Sequence, residues 1–126
     1  MEMIFHAHSG LRYLVLLAGG VATIWFAWGW LAGRPYRGPA TIVMRSFVGL
    51  LDLQILLGLV LLLAGWRPPG IGGHAVLMVI AAVAAHIASA ASRRSEEPGY
   101  SAPLVGVLLS MALVVGGILA IRDAVF

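Results

Sequence analysis

Three short polar interruptions, each joining helix breakers to arginine, cut this chain into four long apolar stretches. They are Gly33-Arg34-Pro35-Tyr36-Arg37-Gly38-Pro39, Trp66-Arg67-Pro68-Pro69-Gly70 and Ser92-Arg93-Arg94-Ser95-Glu96-Glu97-Pro98-Gly99. Breakers with charge are how helix ends read. The stretches between them, at about 9–32, 40–65, 71–91 and 101–121, each reach the roughly 20 residues that cross a bilayer as a helix. A lone strand would leave its backbone polar groups unpaired in lipid, so helices are the only spanning form open to these segments. Composition agrees: 61% of residues are hydrophobic and 10% charged, whereas soluble domains carry about a quarter charged residues. The expectation is an all-α integral membrane protein, an up-down four-helix bundle with residues 1–126 as a single domain.

The same composition excludes several chemistries. With no cysteine among the 126 residues, disulfides, iron–sulfur clusters, thiolate haem ligation and cysteine nucleophiles are ruled out. The cations are all arginines scattered at segment ends, not a nucleic-acid patch. There is no glycine-rich nucleotide loop, no His-Glu-x-x-His pair and no serine–histidine–aspartate arrangement in a polar cleft. With no soluble domain, hydrolytic or group-transfer catalysis is not expected of this chain. Five arginines (Arg34, Arg37, Arg45, Arg93, Arg94) fall on one side of the bundle and three (Arg12, Arg67, Arg122) on the other. The positive-inside bias then puts both termini outside. Glu2 stands where a signal peptide would carry positive charge, so no cleavable leader is expected.

Ionisable side chains are costly in lipid, so each one within a span is a candidate for function. These are His6, His8, Arg12, Arg45, Asp52, His74 and His86, with the polar Gln54 beside them. Imidazole is the main metal ligand on offer. His8 opens the first helix and His74 the third, so the two lie at similar depth near the end that bears the termini. Two imidazoles on different helices can clamp a flat macrocycle, as bundle cofactor sites do. Arg12 lies one turn from His8 on the same face and Arg67 just before the third helix; both are candidates to hold haem propionates. Gly70, Gly72 and Gly73 before His74 would let a planar ligand approach the backbone. His86 is 12 residues beyond His74, roughly 18 Å along the helix, too far to share one haem. Asp52 on the antiparallel second helix reaches the depth of His86. That pair is a proton relay, part of a second site or a structural hydrogen bond. His6, two residues from His8, points elsewhere. Arg45, Trp25, Trp28, Trp30 and Tyr36 gather at the opposite end as interface anchors. Gly106 and Ser110, with the alanine-rich third helix, predict a close interhelical contact.

His8-Ser9-Gly10-Leu11-Arg12-Tyr13-Leu14 resembles the opening of small four-helix bacterial membrane proteins labelled cytochrome b-like. Gln54-Ile55-Leu56-Leu57-Gly58-Leu59 is similar to their second-helix motif, and His74, Leu77-Met78, Ile80-Ala81 and His86-Ile87 to their third helix. The likeness covers roughly three quarters of the chain. It implies a b-type haem protein of the respiratory membrane; joined to the histidine placement above, the expectation is one haem b held by His8 and His74 in a bacterial inner membrane. Quinone or quinol, other membrane subunits or further copies of itself would be its partners. Members of that family often carry histidine two residues before the helix-two glutamine, where this chain has Asp52. A second, mid-membrane haem would lack a ligand here. Two other readings stand beside it: a non-redox accessory subunit of a larger membrane complex, and a proton conduit built on Asp52 and His86.

Overall fold

Glycines that accept a left-handed backbone end the first two helices. In the computed structural model, which describes residues 1–126, α1 spans Glu2–Leu31 and α2 spans Pro39–Leu63. Gly33 (φ 65°) and Gly65 (φ 98°) follow their last turns. In each case the residue after the glycine donates back five positions, Arg34 to Gly29 at 2.9 Å and Trp66 to Leu61 at 3.0 Å. The glycine N–H closes the shorter bond, to Trp30 and Leu62. This is the Schellman arrangement, which satisfies carbonyls left orphaned at a helix end. Pro39 then opens α2 at a position where its missing N–H costs nothing.

α3 spans Ile71–Arg94, α4 spans Ser101–Ala120, and α5, Arg122–Val125, is one further turn. The helices form a ring in which α3 packs most extensively on α4, α1 on α2, and α4 closes back on α1; the α2–α3 seam is the most sparsely packed. Small residues set the close contacts. A Cβ on Gly106 would overlap the Cβ of Ala88, and one on Gly19 would overlap the Met111 side chain. Ser110, fully buried, donates to the carbonyl of Ala81 at 2.9 Å. The Gly106–Ser110 stripe is thus the α3–α4 contact, the use small residues have in lipid.

Four of the helices are long and apolar enough to cross a membrane. Their outward faces carry Leu14, Leu17, Ile24, Ile42, Leu63, Val83 and Val105 exposed, and the chain is a multi-pass membrane protein. Its core runs through Val15, Phe26, Met44, Phe47, Leu51 and Val107. At the end distant from the termini, Phe26, Tyr36 and Tyr100 pack with ring centroids 5.5–5.9 Å apart. The Tyr36 N–H reaches the Pro98 carbonyl at 3.3 Å, joining the first interruption to the third. Trp25, Trp28 and Trp30 are exposed near this end, with Arg34 over the Trp28 ring at 4.2 Å, as in an interfacial belt.

One boundary differs from the hydropathy reading. α1 begins at Glu2 rather than at about residue 9. Hydropathy marks only the part that prefers lipid, whereas helical hydrogen bonds continue past it, with Glu2 placed favourably against the helix dipole.

Candidate functional site

Two buried histidines meet near the end that bears the termini. His8 of α1 and His74 of α3 are each 8% exposed, and their ring centroids lie 6.4 Å apart with planes at 83°. Each ring is fixed by a backbone carbonyl: His8 Nδ1 lies 3.0 Å from the Gln54 oxygen, and His74 Nδ1 2.8 Å from the Gly117 oxygen. A carbonyl can only accept. The proton therefore sits on Nδ1 in both rings, leaving each Nε2 lone pair free, the arrangement typical of metal-ligating imidazoles.

The neighbours explain how such rings fit inside a narrow bundle. Gln54 returns the bond to α1, its Nε2 donating to the His8 carbonyl at 2.8 Å. This reciprocal pair fixes the register of α1 against α2. Gly58 stands one turn further along α2, where a Cβ would come 3.0 Å from His8 Cε1. Gly117 does the same for α3, since a Cβ there would press on Met78 and lie 3.4 Å from His74 Nδ1. Sequence reasoning singled out neither Gly58 nor Gly117 as a site residue. Their only signal was a glycine one helical face away from an imidazole.

Both rings line two cavities. A small internal one, about 20 Å³, also meets Arg12, Gln54 and Met78. A larger one, about 110 Å³, opens towards the α2–α3 seam between Ile55, Gly58, Leu59, Ile71 and Val79. Arg12 is 8% exposed. Its guanidinium donates to the Tyr13 hydroxyl at 2.9 Å and the Val125 carbonyl at 3.3 Å, and lies over the rings of Tyr13 and Phe126. No carboxylate pairs with it, and its Nε, like Gln54 Oε1, is buried without a partner. A buried cation with no counter-ion is a costly feature in search of an anion.

The other sequence candidates lie elsewhere. Arg67 is exposed in the α2–α3 connection and lines neither cavity. Gly72 and Gly73 face open space, and Gly70 (φ 84°) packs against the Ala120 carbonyl, so Gly70 docks the α2–α3 connection against the end of α4 and a Cβ on any of the three would meet no histidine. His6 is exposed and edges onto Phe5. His86 and Asp52 do meet, with Nε2 2.9 Å from both carboxylate oxygens. Their side chains are 56% and 48% exposed, on the outer face of the α2–α3 seam.

No group of three or more histidine, cysteine or acidic side chains is placed to hold a metal ion. Two imidazoles alone suit a metal that brings its remaining ligands with it. Comparison with family models, with curated proteins and with solved structures finds no match, so the functional argument stands on this geometry.

Proposed function

We propose that this protein is a membrane-embedded b-type cytochrome, an electron-transfer protein or a haem-bearing subunit of a respiratory or photosynthetic complex, with one haem b between His8 and His74. The observation that carries the reading is the imidazole pair. Two imidazoles that both ligated one metal, at about 2 Å per metal–nitrogen bond, would have centroids up to roughly 6 Å apart. The observed 6.4 Å matches that spacing, with both Nε2 atoms free. The residues fit the group in a second respect: Arg12 is a buried guanidinium without a carboxylate, which a propionate would complement. The cavity beside the rings, about 110 Å³, holds only part of a macrocycle. The remaining width has to come from the sparsely packed α2–α3 seam.

Bound haem supplies one-electron exchange; the protein supplies ligation, orientation and burial. Gln54 and Gly117 hold the two Nδ1 protons, raising the basicity of the ligating nitrogens and fixing the ring planes. Apolar neighbours Val15, Leu51 and Val114 keep water out. With the arginine-rich side cytoplasmic, both termini and the histidine pair lie on the outer side of a bacterial inner membrane. An accessory subunit without cofactor is the second reading, favoured only by the polar pair that α2 and α3 turn outward. The purified protein should be red, with a Soret band and sharp reduced α and β bands. A colourless, pure and folded protein that takes up no haemin would overturn the proposal.

A further inference from the structure

The Asp52–His86 pair is unusual in its direction. Asp52 has at least eleven residues of α2 on either side, about 16 Å of helix to the nearer end. Ionisable groups at that depth almost always turn inward or towards a cavity, yet about half of each side chain is exposed on the lipid side. The pair stands in an open trough whose other walls, Ile55, Val79, Val83 and Ile87, offer no hydrogen-bonding side chain. His86 spends Nε2 on Asp52, and its Nδ1 has no partner.

We infer that this trough is a binding site for the headgroup of a membrane-soluble quinone or hydroquinone. Three features select that class. Phospholipid headgroups do not reach this depth, so the ligand dissolves in the hydrocarbon and carries its own polar group there. The free Nδ1 serves both redox forms: its lone pair accepts a hydroxyl of the hydroquinone when the ring is neutral, and its N–H donates to a quinone carbonyl when the ring is charged against Asp52. The trough also adjoins the imidazole cavity, with Ile55 and Val79 as the wall between them. Binding at the trough stands on the seam alone; the ligand's role as redox partner rests on the proposed haem.

Photoaffinity mapping tests this in phosphatidylcholine nanodiscs holding the full chain, with an azido-ubiquinone bearing a two-isoprene tail as probe. Label is expected on the peptides around Ile55 and Val83. Unlabelled ubiquinone-2 at about ten times its Kd should lower it roughly tenfold. Asp52→Asn with His86→Phe should lower labelling to the level of the other lipid-facing helices, with helicity and elution volume unchanged. His74→Ala, which the haem proposal expects to be colourless, should label like the wild type; a wild type that is itself colourless but labelled removes the haem proposal and leaves this one standing. Label spread over all lipid-facing helices without competition overturns the inference. So does a seam that resists labelling and instead cross-links to a second copy through Val83.

Discussion

The α3–α4 interface offers a test in which the sign of a substitution depends on its partner. At Gly106 a new Cβ would overlap the Cβ of Ala88, an atom fixed to the α3 backbone that no rotamer change can move. Carbon atoms settle about 3.5–4.0 Å apart, and a gap opened by 0.5–1 Å already forfeits roughly a quarter to a half of the local dispersion energy. Gly106→Ala therefore separates the helices along their most extensive contact, near the Ser110–Ala81 hydrogen bond at 2.9 Å. Overpacking of this kind costs about 1–3 kcal/mol, against about 1 kcal/mol of helix propensity gained from alanine over glycine. The expected net loss is about 0–2 kcal/mol. Ala88→Gly alone should lose about 1–2 kcal/mol, as propensity and as a missing methyl. In the double variant the propensities cancel and one methyl again fills the gap, so stability should return to within about 0.5 kcal/mol of wild type. The coupling, about 1 kcal/mol or more, is read from reversible unfolding in bicelles followed by circular dichroism. Additive losses, or a stabilised Gly106→Ala, would refute the close-contact reasoning.

Three further outcomes are expected. His74→Ala should abolish or strongly reduce haem content, while His86→Ala should leave the spectrum unchanged and cost on the order of 0.6 kcal/mol, as an interhelical hydrogen bond does in lipid; haem quantification and unfolding of both variants check this. Burial first, and then the neighbouring Tyr100, raise the Tyr36 phenol above its ordinary value, against the opposing pull of Arg45 and Arg93. Its contribution to stability is thus complete below about pH 10 and is lost as pH rises through the raised value; unfolding measured against pH should show that fall, and Tyr36→Phe should flatten it. For topology, a reporter after Phe126 should be active in the periplasm and one between Glu97 and Gly99 in the cytoplasm, and the reverse pattern would reject the orientation.

Much of this is legible in the chain because lipid penalises every polar exception. The helix count follows from three breaker clusters, and the pairings follow from depth: His8 with His74 along the parallel α1 and α3, Asp52 with His86 along the antiparallel α2 and α3. Rotation about each helix is harder to read. Nothing in the sequence says that Asp52 and His86 meet on the outside of the seam, since a mean apolar face surrounds each helix on every side. The acceptors for His8 and His74 are main-chain carbonyls of Gln54 and Gly117, which leave no residue-type signature. Arg12 shares a face with His8 as expected, but its contacts with Val125 and Phe126 depend on how the last turn folds back. Arg67 follows the bilayer boundary to the surface rather than the site, as a snorkelling arginine does.

Low-temperature electron paramagnetic resonance of the ferric, haem-loaded protein tests the central proposal most directly. Two imidazoles on one iron give a low-spin signal, and ring planes at 83° place it in the strongly anisotropic class, distinct from the rhombic signal of parallel rings. The account predicts that signal in the wild type and its loss or conversion to high spin in both His8→Ala and His74→Ala. A high-spin wild type, or a low-spin signal that survives either substitution, would contradict it.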